Sequence, residues 1–199
     1  MTLTPQVLLN AYCQGYFPMA DPDEDYAVYW YDPDPRTIIP LEAFHVPRRL
    51  KRTVRQGKFE VRLDSAFRQV MELCSEPRDK SSKTWISPEL IDLYVELFEH
   101  GYAHSVETYL EGELVGGVYG VSVRGLFAGE SMFSRVTDAS KVALVHLVET
   151  LQQNNYTLFD VQFTTAHLKR FGATEISRQA YKKRLARALR QEVGEWRQG

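Results

Sequence analysis

Three polar side chains stand where apolar ones would be ordinary. Glu130 lies in Phe127-Ala128-Gly129-Glu130-Ser131-Met132-Phe133-Ser134, and Asp160 and Gln162 lie in Thr157-Leu158-Phe159-Asp160-Val161-Gln162-Phe163. Both segments read as strands. Period-two alternation predicts Asp160 and Gln162 on one face of the second, with Phe159, Val161 and Phe163 on the other. A carboxylate and an amide on a core strand cost free energy unless something pairs with them. They are expected to floor an active site, where a carboxylate can fix charge and an amide oxygen can accept a hydrogen bond. A satisfied structural pair is the alternative. Glu130 suits a cationic group on a substrate, or else an internal arginine.

The rest of the chain must position these groups. With 199 residues it can bury a full core, and 44% hydrophobic with 25% charged residues is ordinary for a soluble globular protein. No apolar run approaches the ~20 residues needed to span a bilayer. The N-terminus carries no signal-peptide features, and Cys13 and Cys74 are too few for a disulfide framework, so a reducing cytoplasm and structural cysteines are expected. Net charge is −2, which announces no nucleic acid. Locally the picture differs. Arg48, Arg49, Lys51, Arg52, Arg55 and Lys58 fall in a window free of acids between Glu42 and Glu60, and Lys182, Lys183, Arg184, Arg187 and Arg190 form a second basic run. Each run fits a short stretch of phosphate backbone, and each equally fits a solvated helix face.

Helical spacing after Pro5 predicts a helix over 5–15, which Gly15 to Met19 breaks; 21–25 reads as an acidic loop and 27–31 as extended. Asp32-Pro33-Asp34-Pro35-Arg36 is the strongest punctuation, so a boundary is placed there: a small N-terminal domain over 1–36 and a main domain over 37–199. In the main domain, strands are expected at 37–40 and 59–63, and helices over about 47–56, 65–74 and 88–100. Three strands follow over 104–110, 114–123 and 126–133, turning at Glu111-Gly112 and Arg124-Gly125. A helix over about 138–153, the Asp160 strand and a helix over 177–190 complete it. This is an α+β order with a mixed sheet. It resembles the acyltransferase-type GNAT fold, in which a Gly-rich turn into the central helix holds the CoA pyrophosphate. Here that approach, Ser134 to Lys141, has no glycine and carries Asp138, which argues against CoA. His100 and His104 sit across a helix-to-strand change and make a poor metal pair, and there is no GxSxG or Walker loop.

Several segments in order resemble the leucyl/phenylalanyl-tRNA–protein transferase family: Gly15 to Met19, Trp30 to Arg36, Thr84-Trp85-Ile86, His104 to Glu107, Leu114 to Val121, Gly129 to Ser134, Ala139-Ser140-Lys141, Asp160-Val161-Gln162 and His167-Leu168. The resemblance spans residues 8 to about 185. It implies a small N-terminal domain packed on a GNAT-like domain with the active site between them. It also implies transfer of Leu or Phe, and less well Met, from aminoacyl-tRNA to the N-terminal Arg or Lys of a protein, marking it for the N-degron pathway, with no metal and no cofactor.

On that footing Asp160 and Gln162 are the expected catalytic pair, the amide orienting the attacking amine and the carboxylate steadying the positive charge formed on attack. Glu130 is the expected acceptor contact. Val118, Phe127, Met132, Leu144 and Leu147 are expected to line an apolar recess for the donor side chain, with Ser134 beside it. Trp85 offers a stacking surface for the terminal adenine. Met19, where some relatives carry Trp, can cover a base face with less energy than a ring. Arg48, Arg49, Lys51, Arg52 and Arg55 are expected to meet acceptor-stem phosphates. A CoA-dependent N-acetyltransferase and a non-enzymatic tRNA- or peptide-binding module are the competing readings.

Overall fold

A computed structural model of the chain describes residues 3–77 and 83–196. Helix α1 (Pro5–Gln14) starts because the Thr4 hydroxyl accepts from the Val7 N–H and Pro5 needs no donor, and it stops at Gly15, whose φ of 85° is a left-handed cap. A hairpin follows, β1 (Phe17–Asp21) and β2 (Ala27–Tyr31), paired from Phe17↔Tyr31 to Asp21↔Ala27. The segment read as a break is therefore a strand. Pairing with β2, and the Ala20 N–H donating to the Trp85 carbonyl, stabilise it against the weak strand propensity of Pro18.

The chain then enters a seven-stranded sheet with β3 (Arg36–Ile39). After α2 (Arg48–Arg55) come β4 (Glu60–Leu63), α3 (Phe67–Ser75) and α4 (Pro88–Glu99), the last opened by the Ser87 hydroxyl accepting from Leu90 N–H. The expected meander is β5 (Ala103–Leu110), β6 (Glu113–Val123) and β7 (Leu126–Ser134). Central helix α5 (Ala139–Gln153), β8 (Leu158–Gln162), a one-turn α6 (Ala166–Lys169), β9 (Thr174–Ile176) and α7 (Arg178–Ala188) finish the fold. Sheet order is β4-β5-β6-β7-β8-β3-β9, and among the described residues only β7 and β8 pair in parallel. The mixed α+β order expected from sequence is present; α6 and β9 were not anticipated.

Three layers result. On one face Leu50 of α2 and Val142, Leu144 and Leu147 of α5 cover Val106, Val118, Phe127 and Phe159. On the other, Leu8 and Tyr12 of α1, Val70 of α3 and Leu90 and Tyr94 of α4 cover Tyr119, Val121 and Ala128, while Tyr181 and Leu185 of α7 cover Ile38 and Leu158. Close approach of α5 to β6 depends on Gly116, where a Cβ would lie 2.6 Å from that of Ala139. The 32–36 stretch is tied down on both sides. Asp32 lies 3.0 Å from Lys182 Nζ, the Asp34 carboxylate accepts from the Arg178 N–H at 3.1 Å, and Arg36 begins a central strand.

Candidate active site

The parallel pair β7/β8 runs only from Leu126↔Leu158 to Ala128↔Asp160. Beyond that register lies a cleft of about 720 Å³ lined from both strands, by Glu130 and Met132 on one side and Phe159, Val161 and Gln162 on the other. Leu144 of α5 and Val118 of β6 add apolar floor, and Trp85 and Cys74 stand on its wall. An apolar recess with a few convergent polar groups is the usual form of a small-ligand site.

Glu130 sits at a β-bulge. Tyr119 pairs with Ser131 and Gly120 with Gly129, so Glu130 is the extra residue on β7. Gly120 permits this, since a Cβ there would come within 2.2 Å of the Ala128 carbonyl oxygen. Released from the ladder, Glu130 accepts from the Tyr12 hydroxyl at 2.8 Å (Oε1), with Tyr94 Oη 3.5 Å from Oε2 and Gln162 Nε2 3.5 Å from Oε1. Because Tyr12 spends its proton on Glu130, its 2.5 Å contact with the Tyr94 hydroxyl uses the Tyr94 proton. Burial pushes the Glu130 carboxyl up to about 8; the Tyr12 hydrogen bond opposes this and the Asp160 charge reinforces it. Burial likewise holds both phenols well above their ordinary pKa, so they remain donors. A carboxylate so placed gains most from an incoming cation.

Asp160 is sealed behind the cleft wall rather than in it. It is 0% exposed and takes two hydrogen bonds from Arg36, Nε to Oδ1 at 2.9 Å and Nη2 to Oδ2 at 2.6 Å, with a third from the Tyr181 hydroxyl at 2.8 Å. Its fourth hydrogen bond is decisive: the Gln162 backbone N–H donates to Oδ1 at 3.0 Å. Gln162 has φ of 56°, a left-handed conformation that a glutamine adopts only at a cost of order 1 kcal/mol. Asp160 thus holds a kink that ends the strand, and the kink turns Gln162 toward Glu130. Simple alternation breaks here, so Val161, Gln162 and Phe163 all line the cleft. The expected floor is present as Gln162 alone; Asp160 touches the cleft only through it. Among the described residues the Gln162 amide oxygen has no hydrogen-bond donor, and it is free to receive one.

Of the expected recess residues, Val118, Met132, Leu144, Ser134 and Trp85 line the cleft. Phe127 and Leu147 do not: at 0% and 1% exposure they belong to the core beneath α5. Met19 packs at the edge of the α1/α4 core and does not reach the cleft. Ser134 accepts from the Ser140 N–H in the first turn of α5 at 3.2 Å and donates to the Val136 carbonyl at 2.9 Å, which occupies one of the helix N–H groups open to an anion. No described residue before Leu73 lines the cleft; the N-terminal segment contributes from behind, through Tyr12 and the Gly15 carbonyl, which accepts from Arg36 Nη1 at 3.0 Å. Arg48, Arg49, Lys51, Arg52 and Arg55 are exposed on α2, and all but Arg49 line a surface hollow of about 400 Å³.

Sequence reasoning missed Arg36, Tyr12, Tyr94 and Tyr181. The helix tyrosines were indistinguishable from apolar core positions. Arg36 gave one signal: a cation opening the apolar strand Thr37-Ile38-Ile39, which is costly without a buried acid to meet it.

The model of the family described as leucyl/phenylalanyl-tRNA protein transferase matches residues 38–186, and that of its N-terminal domain matches residues 1–34. The chain is similar to proteins named leucyl/phenylalanyl-tRNA–protein transferase from Paramagnetospirillum magneticum, at 56% identity over 94% of this chain and 90% of that one, and from Herpetosiphon aurantiacus, at 57% identity over 94% and 95%. Among solved structures it is similar to the C-terminal domain (DUF2156) of a putative lysylphosphatidylglycerol synthetase from Agrobacterium fabrum, at 12% identity and a TM-score of 0.43, covering 92% of this chain and 62% of that one.

Proposed function

The chain belongs to the leucyl/phenylalanyl-tRNA–protein transferase family of aminoacyltransferases, and from that premise we propose that its cleft joins Leu or Phe, and less readily Met, from aminoacyl-tRNA to the N-terminal Arg or Lys of a protein. One observation carries the reading: Glu130 and Gln162 meet 3.5 Å apart in a cleft that Val118, Met132, Leu144 and Phe159 line with apolar side chains. The donor side chain occupies the apolar part, among Val118, Met132, Leu144 and Phe159, and Trp85 stacks on the terminal adenine. The acceptor's cationic side chain lies against Glu130, which loses its proton to receive it.

The amine needs orientation more than a strong base. Its reference pKa of ~7.7–8.0 leaves a useful neutral fraction at neutral pH. The Gln162 amide oxygen accepts from the amine N–H and directs the lone pair at the ester carbonyl. A C–N bond forms, the ester C–O bond breaks, and the departing ribose oxygen takes up the proton the amine loses. Asp160 is a positioning residue for this step. The exposed cations of α2 take the acceptor-stem phosphates, giving affinity without sequence choice.

The element order and the α5 layer support a GNAT-like main domain over 37–199 and a small N-terminal domain over 1–36. Action in the cytoplasm and marking of the product for the N-degron pathway complete the proposal. Among the described residues no helix is long and apolar enough to cross a membrane. The test supplies labelled Leu-tRNA with an Arg-initiated peptide, and separately labelled acetyl-CoA with the same peptide. Label is expected in peptide only from Leu-tRNA; label only from acetyl-CoA would overturn the reading.

A further inference from the structure

Among the described residues strand β2 has no partner on its outer edge. It pairs only with β1, whose opposite edge is already engaged through Ala20 and Trp85. Tyr29, Trp30 and Tyr31 on β2 are 44%, 39% and 38% exposed, an unusual run of large rings for an unpaired edge. This strip is continuous with the cleft. Tyr31 stacks on Phe17 at 5.8 Å, and Phe17 meets the cleft residue Phe163 edge-on at 5.6 Å.

At its far end the hairpin is acidic, with Asp21 closing β1 and Asp23, Glu24 and Asp25 in the turn. Lys83 pairs with Asp23, and Tyr29 donates to Glu24. Among the described residues Asp25 has no ion pair. This charge repels a phosphate backbone and attracts a cationic polypeptide.

We propose that β2 docks the acceptor polypeptide downstream of its N-terminal residue, as an added extended strand running from the cleft toward the acidic turn. The inference rests on the functional reading above and deepens it by naming how the acceptor is held. Backbone pairing to a free edge gives affinity with little sequence choice, and the rings cover it. The five residues of β2 span about 16 Å at ~3.3 Å per residue, so acceptor residues 2 to about 6 make the contact. A Lys or Arg near acceptor position 5 or 6 then faces the turn.

The test uses the full chain, Leu-tRNA and Arg-initiated peptides of two to eight residues. KM is expected to fall with length and level off near six residues, and Lys at position 6 is expected to bind better than Glu, by a margin that shrinks with salt. Trp30→Ser with Tyr29→Ser, both exposed, is expected to raise KM for the octapeptide about tenfold while leaving dipeptide kinetics and the Leu-tRNA KM unchanged. A length-independent KM, or an equal loss with the dipeptide, overturns the proposal; a rise confined to the Leu-tRNA KM assigns the strip to RNA and also overturns it. Fluorescence anisotropy of a labelled octapeptide reads docking without transfer. Weakened binding in the double variant supports the surface even if transfer to every peptide fails, which would overturn the functional reading alone, and unchanged binding overturns the surface.

Discussion

Arg36 grips Asp160 through two hydrogen bonds, at 2.9 and 2.6 Å, with both side chains at or below 1% exposure. The guanidinium is further held between the rings of Phe17, 4.7 Å from its centroid, and Tyr181, at 4.4 Å, and through Nη1 by the Gly15 carbonyl at the end of α1. This one pair connects the N-terminal helix, the sheet and the backbone of Gln162.

Asp160→Asn leaves a buried guanidinium with only Asp32, 4.0 Å from Nη1, as counter-charge, and loss of one member of a buried pair costs about 3–5 kcal/mol. Denaturant unfolding should show a loss of that order. Replacing both, Arg36→Met with Asp160→Leu, should recover much of the stability. Transfer should stay low in the double variant, because the Gln162 N–H has lost the acceptor that holds its left-handed turn.

Glu130 makes stability fall as pH rises. Its folded pKa, near 8, lies above the ordinary carboxylate value of 4.5, so the folded chain binds the extra proton between them. Stability contributed by that proton is complete below the ordinary value and lost as pH climbs through about 8, by at most about 1.4 kcal/mol per pH unit. Thermal unfolding of Glu130→Gln from pH 5 to 8.5 should lack this decline. An Arg peptide with a blocked amine, used as a competitor, should bind wild type more tightly as pH rises toward 8 and bind Glu130→Gln weakly at every pH.

Met132 reaches the donor recess from β7. Met132→Ala should lower kcat/KM for Leu-tRNA by about 1–3 kcal/mol, the range for a methylene-scale misfit, and should improve acceptance of bulkier aromatic donors. Parallel single-donor rate measurements with charged tRNAs check this.

Neutralising Arg48, Arg52 and Arg55 to Gln should raise the tRNA KM. It should also reduce the slope of log K against log salt by roughly 0.9 for each duplex phosphate no longer neutralised by the protein. The KM for peptide should not move.

The sequence carried the meander plainly, because Glu111-Gly112 and Arg124-Gly125 punctuate three strand-like runs; Glu111, Gly112 and Arg124 all take positive φ there. It carried α4 through Ser87-Pro88 and singled out Glu130, Asp160 and Gln162, but not the Tyr12, Tyr94, Arg36 and Tyr181 side chains that hold them. What it could not carry depends on distant partners. Asp160, expected to steady the charge formed on attack, meets an arginine 124 positions away and is buried against it. The bulge at Glu130 and the kink at Gln162 break strict alternation, and no local pattern announces either. Phe127 and Leu147 share the composition of the recess but face the core, and Met19 follows the hairpin instead of the cleft.

The most direct test is the single-turnover rate of Leu transfer from Leu-tRNA to an Arg-initiated peptide in Gln162→Asn. Asparagine keeps an amide and tolerates the left-handed backbone better than most residues, but it is one methylene shorter. With its amide withdrawn by about an ångström, the rate should fall about 100-fold with tRNA and peptide affinities and unfolding temperature nearly unchanged. A wild-type rate in that variant would contradict the assignment of amine orientation to Gln162.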